Sequence, residues 1–157
     1  MSSTDIFKIT KTESKKSESI PNAWAFAMFI WNALSNEYNG ENFNMFTGST
    51  KTWNLIDDPK VDLFKREVLL LTMDKTLVKK ENLSKLKTSL KQFNEVHSGS
   101  AIPKLIQWIT ENESKDDFEA MGLHCNSISC EQWYDYSLEN DEHDFLYEDD
   151  AISKYYD

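Results

Sequence analysis

The feature that most constrains the fold is an apolar segment that leaves no side for water. Residues 23–31 form the longest apolar run of the chain and contain two tryptophans and two phenylalanines. Pro21 stands just before this run, where a helix favours proline as its first residue, and Ile20 before it is held extended. On a helix over residues 21–34 the large side chains would point in every direction. The sequence therefore predicts a central buried helix, too short in its apolar run to cross a bilayer, which takes ~20 residues.

Periodic patterns predict the other elements. Apolar residues at helical spacing predict one helix from about Pro59 to Thr72 and another that opens at Pro103. The clearest amphipathic helix follows Asn82 as its cap, with an apolar stripe of Leu83, Leu86, Leu90, Phe93 and Val96. Alternating or β-favouring residues predict strands at residues 76–79 and 118–129. Residues 36–58 suggest loops around one or two short strands.

These elements predict the fold class and the domain organisation. Helices in the middle of the chain and strands near its ends indicate an α+β domain. We expect a single domain over residues 20–157, with a buried central helix and two or three amphipathic helices packed on a small, mostly antiparallel sheet. Residues 1–19 are polar and predict a mobile N-terminal arm, in which residues 6–9 could add a short edge strand. Residues 131–157 form an acidic, aromatic-rich C-terminal segment that suggests one or two short strands or an ordered loop.

The charge is distributed unevenly along the chain. The net charge is −10, but residues 111–157 alone carry fifteen carboxylates and two lysines, so the first 110 residues are slightly basic. Such asymmetry bears on partners and on association rates, and not on the fold. The total charge opposes direct binding to nucleic acid. The lysines between Lys79 and Lys91 favour a solvated helix face, or a counterpart on which the acidic segment of the same chain could rest.

Motifs that would indicate a reaction or a cofactor are weak. His124, Cys125, Cys130 and His143 are metal-ligand types, but adjacent residues on a strand point to opposite faces and cannot all converge on one ion. The two thiols border the most acidic part of the chain, which disfavours the thiolate that a cysteine nucleophile needs. The chain has four glycines and no glycine-rich phosphate loop. We therefore expect no catalytic residues, no metal, no cofactor and no enzymatic activity, in a cytoplasmic protein with reduced cysteines.

The C-terminal segment is the predicted binding surface. It interleaves ten carboxylates with rigid aromatic side chains, a combination that suits contact with a positively charged protein. The candidate partner-binding residues are Trp133, Tyr134, Asp135, Tyr136, Glu139, Asp141, Glu142, Asp144, Tyr147, Glu148, Asp149 and Asp150. The expected partner is a basic protein, such as a toxin or a nucleic-acid-binding protein, with no membrane involved. In size and charge, though in no motif, the chain is similar to the immunity proteins that block bacterial toxins.

Two other functions stay open at this point. A small-ligand-binding protein or an enzyme of unknown reaction would need a deep pocket near Trp53, His97 or His124 with converging polar groups. A nucleic-acid mimic would be a variant of the first hypothesis, with carboxylates spaced in two rows. The aromatic residues of the C-terminal segment could also pack inward while its acids face water, and the oligomeric state is left open.

Overall fold

A four-stranded antiparallel sheet forms one layer of the protein. The structure, a computed structural model, describes residues 3–21, 25–44, 49–72, 75–125, 134–137 and 142–145. The strands of the main sheet are β1 (Ser3–Thr10), β2 (Ser14–Pro21), β3 (Lys75–Lys79) and β4 (Phe118–Cys125). Their order is β2-β1-β4-β3, with every neighbouring pair antiparallel. The strand predictions at 76–79 and from Phe118 are confirmed.

The N-terminal segment belongs to this sheet, which corrects the expectation of a mobile arm. β1 is an interior strand, hydrogen-bonded to β2 on one side and to β4 on the other, and not a short edge strand. Ile6 and Ile9 are fully buried. β2 is one of the two edge strands, in which only Ile20 is buried and the lysines face water. An exposed edge strand needs few apolar residues, so its composition resembles that of a polar tail.

The second layer consists of α-helices, of which the described residues contain five. The helices are α1 (Ala27–Leu34), α2 (Ser49–Trp53), α3 (Leu63–Leu70), α4 (Leu83–Val96) and α5 (Ile102–Asn112). The predicted amphipathic helices at α3, α4 and α5 are confirmed. Together with the antiparallel sheet they form a single α+β domain, as predicted. In the described part of the chain, no helix combines the length and the apolar content needed to cross a membrane.

The central helix begins later than predicted. Pro21 ends strand β2 instead of opening the helix, since Ile20 is buried as part of the sheet. α1 starts at Ala27, and it buries Ile30 and Leu34 completely while Asn32 is exposed. The helix is therefore central and largely buried, but one position faces water.

Short helical turns replace the strands predicted for residues 36–58. A turn of π-helix over Ser35–Asn39 extends α1, and Gly40 ends it with a φ of 70°, which lies in the left-handed region that glycine adopts without strain. Beyond α2, a 3-10 turn covers Asn54–Asp57. The described residues of this region contain no strand.

The core lies between the helices and one face of the sheet, which we call the inner face. Ile6, Val78, Met121 and Leu123 supply this face and are buried together with the apolar residues of all the long helices. On α4 the predicted stripe is buried at Leu83, Leu86, Leu90 and Phe93. Val96, the last residue of that predicted stripe, is 54% exposed at the helix end. Asn82 stands at the predicted cap position but makes no side-chain capping hydrogen bond.

Candidate interaction surface

The C-terminal segment contains a second, two-stranded sheet. β5 (Tyr134–Ser137) and β6 (Glu142–Phe145) pair antiparallel, so that the short strands predicted for this segment are present. The register pairs Tyr134 with Phe145, Asp135 with Asp144, Tyr136 with His143 and Ser137 with Glu142. We call this pair of strands the hairpin.

The register sorts the hairpin residues by chemistry. Directly paired residues share a face of an antiparallel sheet, and successive residues alternate between its faces. One face of the hairpin therefore holds four ring-bearing residues, and the other holds three acids and a serine. The ring face consists of the positions Tyr134, Tyr136, His143 and Phe145. The acidic face consists of the positions Asp135, Ser137, Glu142 and Asp144.

The acidic face places like charges opposite one another. Asp135 and Asp144 are direct cross-strand partners, and Glu142 is two residues from Asp144 on the same face. Like charges at directly opposed positions destabilise a strand pair, by an amount comparable to the roughly 0.2–1 kcal/mol of other cross-strand pairs.

Five of the predicted partner-binding residues lie in the hairpin. Tyr134, Asp135, Tyr136, Glu142 and Asp144 are described, and the register divides them between the two faces. The remaining candidates lie outside the described residues: Trp133, Glu139, Asp141, Tyr147, Glu148, Asp149 and Asp150.

The beginning of the acidic region, by contrast, is paired with the lysines of the body. Glu113, just after α5, forms a short ion pair with Lys87 of α4. Asp117 lies 3.3 Å from Lys8 of β1. These pairs connect the chain around β4 to the rest of the domain. Lys87 of α4 therefore has an acidic partner from the same chain, but this partner precedes the C-terminal segment that the sequence suggested as a counterpart.

A second polar cluster, which sequence analysis missed, links three helical elements. Lys65 of α3 is only 5% exposed. Its Nζ donates to Glu37 Oε1 at 2.5 Å and to Tyr38 Oη at 3.2 Å, and it lies 3.1 Å from Asp62 Oδ2. His97, at the end of α4, places Nε2 3.1 Å from the other oxygen of Glu37. Glu37 therefore bridges α3 and the end of α4 from the π-helical turn.

The electrostatics of this cluster favour the charged forms of Lys65 and Glu37. Burial acts to lower the pKa of Lys65, but the hydrogen bonds to Glu37, Tyr38 and Asp62 outweigh it and raise the pKa. Burial acts to raise the pKa of Glu37, but the hydrogen bonds with Lys65 and His97 outweigh it and lower the pKa. A lysine held as an ammonium ion is no nucleophile, and both oxygens of Glu37 are engaged. The arrangement suits a structural clamp. No sequence motif predicts this cluster, because Glu37, Lys65 and His97 are far apart in the chain.

A basic groove lies between strands β1 and β2 and the end of α5. It has a volume of about 400 Å³ and is lined by Lys8, Thr10, Glu13, Lys15, Lys16, Ser17, Asn112 and Lys115. Two of these lysines already have acidic partners, since Lys16 lies 3.5 Å from Asp5 and Lys8 pairs with Asp117. None of Trp53, His97 and His124, near which a deep pocket would have favoured a small-ligand function, lines this groove.

The described residues contain no group of three or more histidine, cysteine, aspartate or glutamate side chains that could hold a metal ion. His124 and Cys125, two of the ligand types noted in the sequence, occupy successive positions of β4 and hence opposite faces of the sheet. Cys130 lies outside the described residues.

Comparison of the chain with family models, with curated proteins and with solved structures finds no match.

Proposed function

We propose that this chain is a non-catalytic interaction module that binds and neutralises a basic protein, in the manner of an immunity protein or an antitoxin. The observation that carries the proposal is the register of the hairpin. It places Asp135, Glu142 and Asp144 on one face. The segment that contains the hairpin, residues 131–157, has ten carboxylates and one lysine in its sequence.

The mechanism of neutralisation is electrostatic attraction followed by occlusion. A negative field accelerates the encounter with a cationic protein and disfavours wrong partners. Once in contact, the carboxylates pair with lysine and arginine side chains, which a nucleic-acid-binding protein or a nuclease toxin would otherwise use to hold phosphates. The partner loses access to its substrate without any reaction on this chain.

The cross-strand acids add a second driving force. The register makes Asp135 and Asp144 cross-strand partners, and like charges at such positions disfavour a strand pair. A guanidinium or ammonium group of the partner that binds between two carboxylates would gain two favourable contacts and offset this cost. The same face would support a nucleic-acid mimic only if its three acids extended into two longer rows, so a compact basic patch fits it better.

A matched pair of charge variants tests the proposal. The hairpin variant combines Asp135→Asn, Glu142→Gln and Asp144→Asn. The control variant combines Glu81→Gln, Glu95→Gln and Asp116→Asn, which are exposed positions on the body. Each variant removes three negative charges, so a difference between them reports the location of the charge and not its amount.

The measurement is the association rate with a basic protein that a pull-down from the native host recovers, at about 0.05 M and about 0.5 M salt. The hairpin variant should associate at least roughly tenfold more slowly at low salt, and the control should remain close to the parent protein. The parent's rate should fall steeply with salt. Equal effects of the two variants, or a rate independent of salt, would refute the assignment of the binding surface to the hairpin.

A further inference from the structure

The face of the main sheet that points away from the helices, which we call the outer face, is largely buried and carries an apolar cluster beside the buried polar residues Asp5 and His124. The pairing of β1, β3 and β4 brings Phe7, Ile9, Leu77 and Ala120 to this face. Ile9 is 0% exposed, Ala120 3% and Leu77 4%, and Phe7 packs against these three. Side chains on a sheet face with nothing above them would be exposed to water, so another layer must cover this face.

The described helices do not supply that layer. Their buried residues cluster with the inner face, which carries Ile6, Val78 and Met121. Contacts at the sheet edge agree with this placement, because Trp108 of α5 donates to Ser17 and Lys104 of α5 lies 3.6 Å from Glu18. In the part of the chain that the structure describes, the outer cluster contains strand residues alone.

The hairpin is the segment whose position in the chain and whose alternation of rings and acids suit it to cover the outer face. β4 ends at Cys125 and β5 begins at Tyr134, so nine peptide units connect them. An extended chain of that length reaches roughly 30 Å, about three times the ~10 Å that separates stacked sheets. The gaps between described residues before β4 are two to four residues long and offer no comparable layer.

We propose that the ring face of the hairpin packs on the outer face of the main sheet. The positions Tyr134, Tyr136 and Phe145 would then cover Ile9 and Leu77, and the domain would become a three-layer arrangement of helices, sheet and hairpin. Aromatic residues supply most of the contact area at such a packing surface. The lysine positions that flank the outer face, Lys16 and Lys79, match the negative charge of the segment.

This packing assigns different tasks to the two faces of the hairpin. The aromatic positions would be internal contacts, while the acidic face points outward in a fixed shape. The inference does not rest on the proposed function, since the hairpin could cover the sheet whatever it binds. If both hold, the carboxylates are preorganised for the basic partner, and less ordering is required on binding.

Nuclear Overhauser spectroscopy on the full chain tests the packing directly. We expect cross-peaks between the methyl groups of Leu77 and Ile9 and the ring protons of tyrosine or phenylalanine residues in the hairpin. Tyr136→Ser should remove or weaken them. The matched control is Asp135→Ser, one residue away on the acidic face, which should leave them in place. Tyr136→Ser should also raise the rate of proteolytic cleavage within residues 126–157 by roughly tenfold over that control.

Three results would overturn the inference. The first is that the methyl groups of Leu77 and Ile9 show no contact with any hairpin ring. The second is that such cross-peaks arise between a labelled and an unlabelled copy in a mixed sample, which would make the cover a second molecule. The third is that Asp135→Ser disturbs them as much as Tyr136→Ser. None of these depends on the basic partner, whose binding is tested separately by the charge variants.

Discussion

Removing the charge of Glu37 should destabilise the domain, because this carboxylate is the shared partner of two basic groups. Glu37→Gln keeps the size of the side chain and one oxygen acceptor but removes the negative charge. Lys65 is then left almost completely buried, with Asp62 as its remaining acidic neighbour at 3.1 Å. His97 loses an acceptor that lies 3.1 Å away.

The size of the expected loss in unfolding free energy depends on the contacts that Lys65 keeps after the substitution. Hydrogen bonds to charged groups contribute about 1.5–3 kcal/mol each, and breaking a fully buried ion pair costs about 3–5 kcal/mol. The side chain of Glu37 is 32% exposed and Asp62 stays near Lys65, so solvent and the second acid offset part of the loss. We expect a decrease of about 2 kcal/mol in the free energy of unfolding, or a melting temperature lowered by about 4–8 °C.

Urea unfolding at several pH values is the assay, with Glu41→Gln as the control. Glu41 forms a 3.9 Å pair with Lys51, in which both side chains are more than half exposed, so its loss should change stability by less than about 0.5 kcal/mol. Because the folded-state pKa of Glu37 is lowered, its stabilisation is present above the ordinary carboxylate range and is lost as the pH falls through the folded pKa. The difference between Glu37→Gln and the parent should therefore be full at pH 7 and shrink below about pH 4.

Equal stability of Glu37→Gln and Glu41→Gln at pH 7 would refute the clamp. So would a deficit in Glu37→Gln that stays constant down to pH 3, since the lost contribution would then be steric and not ionic.

Further predictions concern burial and the acidic tail. Burial raises the pKa of Glu67, with the Ser89 hydrogen bond opposing it in part, so the parent's stability should fall as the pH rises through the window between the unfolded and folded pKa. Urea unfolding of Glu67→Gln should show no such fall in stability with pH. The same pH dependence in the variant and the parent would contradict this role of Glu67. Leu90→Ala should cost about 2–5 kcal/mol in urea unfolding, whereas Val96→Ala at the exposed helix end should cost under about 1 kcal/mol, and similar losses would contradict the packing. Replacing Glu148, Asp149 and Asp150 together by serine should slow association with a basic partner more than it changes the melting temperature. Unchanged association kinetics would show that these three residues take no part in binding.

The sequence revealed the elements whose signal is local. α4 and α5 follow from apolar stripes at helical spacing, because one face of each helix packs against the core. β4 follows from the alternation of Met121 and Leu123 with Gly122 and His124 in the sequence, although the structure buries both faces of this strand. β2 carries no such signal. It has one buried residue, Ile20, and its place is determined by hydrogen bonds to β1, which in turn pairs with β4 more than one hundred residues later in the chain. Pairing at that distance cannot be read from local composition.

The same distinction between local and long-range signals applies to the C-terminal segment and to the Glu37 cluster. The concentration of acids in the C-terminal segment is visible in the sequence, because charge is a property of composition. The division of the hairpin into a ring face and an acidic face depends on which residue of β5 lies opposite which residue of β6, and a shift by one residue would mix them. The cluster of Glu37, Lys65 and His97 was not predictable at all, since three helical elements bring together residues that no motif connects.

The charges that can attract a partner are those for which the fold supplies no counterion. Glu113 and Asp117 are already paired with Lys87 and Lys8, so they contribute little field beyond a short distance. Beyond β4 the balance changes, because residues 131–157 contain ten carboxylates and one lysine. The first 110 residues contain fifteen bases and twelve acids, so their excess of three positive charges is small against these ten carboxylates. The potential of the whole molecule is therefore generated at its carboxyl end, and its effect on association should scale with charges removed there and not with the net charge of the chain.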